Sequence, residues 1–205
     1  MRILTIILLL VLTGCEAKPR LSVEEAQAWI DSMRLPYPYD LHVPAPNFDL
    51  PIISADVAGE HLRLSDLSGR VVVLNLWSTW CKPCIAEHST FERLARRFAA
   101  DSVQFLGIVG EDTPDRVLKF EETNPTGYPN LYDKDGTVSS AYGSRGVPHH
   151  VVIDRNGMVV FSAPGGPIIE KPFATMIERV LVGQVDSLVE RFTAEMISAR
   201  RTERS

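Results

Sequence analysis

The sequence predicts a mixed α/β fold: a central sheet with helices on both faces, an added β-hairpin before it and a helical extension after it. Three observations predict this. The run Val71–Trp77 is apolar at every position but Asn75, and a short run without alternation reads as a strand covered on both faces. Helix-patterned segments follow strand-like ones in β–α–β–α order. Asn156-Gly157 then lies between two apolar runs, a strong hairpin signal.

The size of the chain agrees with one such unit. With 205 residues, 45% hydrophobic and 23% charged, it can build one core with extensions but not two full domains. A formal net charge of −5 argues against a nucleic-acid binder, because no large basic surplus is available to neutralise phosphates.

At the start, Arg2 precedes an apolar run over residues 3–12 that ends in Leu12-Thr13-Gly14-Cys15. About ten apolar residues fall short of the roughly twenty that span a bilayer, and match the core of a secretory signal. Residues 1–14 are therefore expected to be a lipoprotein signal peptide, because small residues before a cysteine match bacterial lipid processing. Cys15 is then the lipidated residue. This also settles the cysteine arithmetic. Three cysteines are awkward in an oxidising compartment, and assigning Cys15 to a lipid leaves Cys81 and Cys84 as a pair.

Residues 15–43 read as anchor, helical segment and linker. Ser22-Val23-Glu24-Glu25 is a capping box opening a helix to about Met33, and Pro36, Pro38, Pro44 and Pro46 stiffen the chain beyond it. The domain itself is expected over residues 44–183. Residues 48–53 and 61–64 form two short strands, and residues 65–69 a tight connection into the Val71–Trp77 strand.

Trp80-Cys81-Lys82-Pro83-Cys84 comes directly after that strand and opens a helix. A helix start offers unpaired N–H groups and positive potential, which favour a thiolate. Cys84, Glu87, His88, Phe91, Leu94, Ala95 and Phe98 recur every three or four residues on one side. Cys84 is thus partly covered and Cys81 sits at the mouth. So small a loop would add little as a structural staple. A c-type haem site is excluded because Ile85 stands where its histidine would be.

The second β–α unit comprises a strand over residues 103–109 and a helix capped by Thr113-Pro114. A short strand ends at Tyr132, and a turn at Asp133-Lys134-Asp135-Gly136 leads to a short helix. That turn lacks an acidic residue at the closing position, Ser144, so calcium binding is not expected. The hairpin comes next, then a helix from about Ile168. Val185, Leu188, Val189, Phe192 and Met196 continue an apolar stripe beyond Gly183, so residues 184–205 are read as a helical extension, either docked on the body or forming a dimer seam. Docking is favoured because barely two heptads of pattern are present.

Taken together, Pro46-Asn47-Phe48, Leu64-Ser65-Asp66-Leu67, the stretch from Asn75 to Cys84, Glu87, Gly146-Val147-Pro148 and Val151-Val152-Ile153-Asp154 resemble the TlpA/ResA/DsbE group. These are membrane-anchored, thioredoxin-like thiol–disulfide oxidoreductases. The resemblance implies a thioredoxin-like fold and an enzyme cycling Cys81 and Cys84 between dithiol and disulfide, with no cofactor. It implies Glu87 as a proton-handling carboxylate and Pro148 in a cis bond opposite the cysteines. Trp80 and Val147 would be client-binding surface. It further implies client proteins with disulfides, a membrane electron-donor carrier, no nucleic acid, and a location on the cell membrane facing the periplasm or extracytoplasmic space. Cytochrome c maturation and metal-site assembly are the usual tasks of the group.

Two departures from the group stand out. Ser89 replaces a helix proline, and His149 and His150 replace threonines after Gly146-Val147-Pro148. On a strand one of these histidines points to the cysteine side and the other away. That leaves an alternative, a Cu(I) metallochaperone using Cys81, Cys84 and His149.

Overall fold

The computed structural model describes residues 43–53, 60–165, 168–185 and 188–202. The expected signal segment, Cys15 and the helical segment with most of its linker lie outside the described residues.

Fourteen elements are described if one 3₁₀ turn is included. They are β1 (Val43–Pro44), β2 (Asp49–Ile53), β3 (His61–Arg63), the 3₁₀ turn Leu64–Leu67, β4 (Val71–Trp77), α1 (Lys82–Arg97) and β5 (Val103–Val109). After these come α2 (Pro114–Glu121), β6 (Asn130–Tyr132), α3 (Thr137–Ala141), β7 (His149–Ile153), β8 (Met158–Pro164), α4 (Glu170–Leu181) and α5 (Leu188–Thr202). They build an eight-stranded mixed sheet in the order β1-β8-β7-β4-β5-β6-β2-β3.

β4 is central, parallel to β5 and antiparallel to β7. All seven of its residues are buried, which is why it could be apolar on both faces. Val71 and Val73 point to the face carried by Phe91 and Leu94 of α1, Phe173 and Ile177 of α4 and Phe192 of α5. Val72, Leu74 and Leu76 point to the other face, packed with Phe48, Leu50, Leu131 and Tyr142. The helical cover is unequal. Three long helices close the first face, whereas the second is closed mainly by the β2–β3 hairpin and the segment around α3.

Two local expectations are corrected by position. The sheet gains a strand at Val43–Pro44, paired with Val159 and Met158 of β8, inside what reads as linker. A proline is tolerated there because β1 is an edge strand. The helix expected to run past Gly183 stops instead. Gly183 has φ +74°, and Gln184 N–H donates to Arg179 O at 2.8 Å, so the chain turns before restarting as α5. That extension docks as expected: the Phe192 ring lies 4.8 Å from Phe161, and Arg179 pairs with Glu195 at 2.9 Å. Leu188 and Phe192 join the main core, so the extension is part of the globular body.

Asp133, which looked faintly like a cation ligand, is a helix cap. Its carboxylate accepts from Val138 N–H, Ser139 N–H and the Ser139 hydroxyl.

Candidate active site

The strand-to-helix junction after β4 is held by hydrogen bonds that place the cysteines. The Ser78 hydroxyl donates to Gly110 O at 2.7 Å, and Cys81 N–H donates to Ser78 O at 3.1 Å. Asp112, just beyond β5, accepts from Thr79 N–H at 2.6 Å and the Thr79 hydroxyl at 2.7 Å. Its other oxygen accepts from Thr113 N–H at 2.9 Å. Trp80 is 53% exposed, yet its ring N–H donates to Glu111 O at 2.9 Å. Glu111 itself sits at φ +51°, an uncommon conformation for a residue with a side chain.

Asp112 is a residue of this region that the sequence did not single out. The available signal was positional: it lies three residues past the end of β5, the strand beside β4, where the carboxyl ends of an α/β sheet converge.

Cys81 and Cys84 form a disulfide with Cα atoms 5.2 Å apart. Cys81 is the N-cap of α1, its sulfur accepting Cys84 N–H at 3.2 Å, and Pro83 lies in the first turn where no amide donor is missed. Exposure corrects one expectation. Cys81 was to sit at the mouth, but it is 3% exposed and Cys84 1%, so both are covered. They pack with Ile53, Trp77, Val109 and Val117, and Val147 lies against the same cluster. The Val147–Pro148 bond is cis. Sequence and structure thus bring Trp80, Cys81, Cys84, Val147 and Pro148 into one region.

Trp77 supports this cluster from below. Its ring N–H donates to Asn130 Oδ1 at 2.8 Å, and a Cβ at Gly107 would stand 1.8 Å from that oxygen. Only glycine at position 107 leaves room for the bond.

Below Cys84, one turn along α1, Glu87 is 1% exposed. Its Oε2 accepts Ile168 N–H at 3.2 Å and lies 3.3 Å from His150 Nε2. α1 is one unbroken helix from Lys82 to Arg97, with Ser89 inside it.

The strand alternation sends the two histidines to opposite faces, and it is His150 that comes to the α1 side. His150 faces α1, stacked on Phe91 at 5.3 Å. His149 faces the other side and shares a 2.8 Å hydrogen bond with the Ser162 hydroxyl. Burial, reinforced by the neighbouring His150, holds the His149 pKa down at about 4. The Cys81, Cys84 and His149 metal set is therefore not assembled. Among the described residues no cluster of three or more His, Cys, Asp or Glu side chains could hold a metal ion. The physical reason is pairing: the β7 register opposite β4 sends His149 through the sheet, away from α1.

Comparison with known proteins now decides the family. Residues 41–162 match the AhpC/TSA family. The chain belongs to it. Among its relatives is the thiol–disulfide oxidoreductase ResA of Bacillus thuringiensis subsp. konkukian (strain 97-27), 31% identical over 121 residues. That match covers 59% of this chain and 68% of the relative. ResA of Geobacillus thermodenitrificans (strain NG80-2) is 35% identical over 115 residues, covering 56% of this chain and 64% of the relative. A crystal structure of a thiol:disulfide interchange protein, a thioredoxin family protein from Chlorobium tepidum TLS, superposes with a TM-score of 0.60 at 25% identity. It covers 68% of this chain and 96% of that one. Fold, disulfide and relatives agree: this member of the family is a thioredoxin-like thiol–disulfide oxidoreductase.

Proposed function

We propose that the protein reduces disulfides of client proteins outside the cytoplasm, tethered to the membrane by a lipid on Cys15. In this reading residues 15–43 are anchor and spacer, and residues 44–183 carry the catalytic domain with 184–205 docked on it. No helix among the described residues is long and apolar enough to cross a membrane. The anchor reading therefore rests on residues 1–15.

One observation carries the catalytic reading: the Cys81 sulfur accepts the Cys84 amide at the start of α1. As a thiolate, Cys81 keeps that N–H and the positive end of the helix, so it is the better-stabilised sulfur and the attacking one. Its electron pair attacks one sulfur of the client disulfide, and the client's other sulfur leaves with the pair from the broken bond. Cys84 then gives its proton to Glu87, attacks the Cys81 sulfur, and releases the first client sulfur as a thiolate. Two electrons have passed to the client, whose two thiolates take their protons from solvent while the Cys84 proton stays with Glu87. A dithiol carrier in the membrane restores the Cys81–Cys84 dithiol. Exposed Trp80, with Val147 and Pro148, receives the client, and cytochrome c maturation or metal-site assembly supplies clients of this kind.

Equilibration against glutathione tests the direction. The expected potential lies below the glutathione couple, and one well above it would overturn the reducing role. Cys84→Ser should accumulate a mixed disulfide with client through Cys81, whereas Cys81→Ser should abolish turnover. Trapping by Cys81→Ser instead would reverse the two roles.

A further inference from the structure

Four polar side chains from four parts of the chain meet on the α1 face of the sheet, close under the cysteines. They are Asn75 of β4, Glu87 of α1, Tyr128 before β6 and His150 of β7, all buried. Asn75 and His150 stand opposite each other across the β4–β7 pairing. The Tyr128 hydroxyl comes against Asn75, yet neither it nor Asn75 Oδ1 has an aligned hydrogen-bond partner. Glu87 Oε1 and both nitrogens of His150 are also without one. Burying unmet polar groups opposes folding, so stability alone does not account for this set.

Its geometry is specific about one pair. Glu87 Oε2 and His150 Nε2 lie 3.3 Å apart. The imidazole stacks on Phe91 at 28° between planes and meets the edge of Phe173 at 6.0 Å, which fixes its plane. An aromatic face also favours a cation placed over it. Glu87 Oε1 is left free to meet an incoming proton.

We propose that His150 is a positioning residue for the disulfide exchange, pairing with Glu87 so that the two hold the Cys84 proton as one unit. This rests on the reading of Glu87 as the acceptor of that proton. When Cys84 attacks, its proton enters the pair on Glu87 and is held as an imidazolium–carboxylate couple with no net charge. A couple of that kind is easier to bury than a lone charge. When the membrane dithiol carrier reduces the Cys81–Cys84 bond, the same proton returns to the Cys84 sulfur. The electrons move only between sulfurs, and the pair ends each cycle as it began.

The surroundings leave few rivals for the proton. Burial pushes the Tyr128 hydroxyl well above its ordinary range, so it stays neutral. Glu92 is engaged with Gly127 N–H and Arg96, and Glu121 with Thr126 and Asn130. α4 presents Phe173 to the ring, and His149 is neutral on the opposite face.

The test compares the full-length protein with Glu87→Gln, His150→Gln and the double variant, following client-disulfide reduction and mixed-disulfide decay from pH 5 to 9. His150→Gln should slow the decay at neutral pH by about tenfold or more while Cys81 attack keeps its rate. It should also move the inflection of the pH profile, and adding it to Glu87→Gln should do nothing further. If Glu87→Gln changes the profile and His150→Gln does not, the His150 assignment is overturned while Glu87 stands. If neither changes it, the reading of Glu87 falls, and this one with it. Against misfolding of the variants, NMR titration of the His150 ring in the unaltered protein gives a second measure. Its midpoint should differ between the dithiol and disulfide forms, and equal midpoints would overturn the proposal.

Discussion

The loop in front of Cys81 and the floor beneath Cys84 are built on opposite rules. In the loop, Ser78, Thr79 and Trp80 each donate to a named partner, and Asp112 accepts three times. In the floor, Asn75, Glu87, Tyr128 and His150 each keep at least one buried polar atom unmet. Hydrogen bonds hold the loop, whereas packed rings hold the floor: Phe91 contacts Phe105, Tyr128, His150 and Phe173. The difference separates two needs of a thiol exchanger. In the proposed cycle the sulfurs require a fixed direction of approach, and the proton requires groups still free to accept it.

The largest expected effect tests what holds the floor. Phe91→Ala should lower stability by about 3–5 kcal/mol, as for other buried aromatic truncations, read as a shift in the denaturant midpoint. It removes the ring under His150 and a hub of the main core. A loss under about 1 kcal/mol would break the claim that packing holds this region.

His149 sharpens the contrast, being next to His150 but on the other face. Its folded pKa of about 4 lies below the ordinary 6.5. Between those values the unfolded chain binds a proton that the folded one refuses, so its contribution is complete above about pH 6.5 and is lost as pH falls towards 4. The loss amounts to about 3 kcal/mol. Denaturation at pH 7 and pH 4.5 should therefore show a smaller acid loss in His149→Gln than in the parent. An identical slope would show that His149 does not titrate in this way.

The smallest effect on stability belongs to the loop. Asp112→Ala strands the donors of Thr79 and Thr113 and should cost about 1–3 kcal/mol. The rate of insulin disulfide reduction should also fall, because the residues before Cys81 lose their clamp. Unchanged exchange with reduced stability would make Asp112 purely structural. A loss as large as that of Phe91→Ala would erase the distinction between loop and floor.

Much of this was legible in the chain because its causes are local. A seven-residue apolar run, an N-cap threonine before a proline and an Asn-Gly turn each name their element from neighbours in sequence. Cys84 and Glu87 share a helix, so their common face follows from periodicity. Asp112 was not legible, since its partner Thr79 is brought near only when β5 pairs with β4. β1 was hidden for a similar reason: its pairing partner, β8, is remote in sequence.

By itself, then, the sequence determined a strand that runs into a helix bearing two cysteines and a carboxylate, and the order of the elements around it. The family follows from those residues. Tertiary structure decided that both sulfurs are covered and that Asp112 holds the loop. It also decided that His150, and not His149, faces Glu87. A strand's side chains alternate with fixed period, but which face each set meets depends on its register against β4. That register is settled by contacts between segments far apart in the chain.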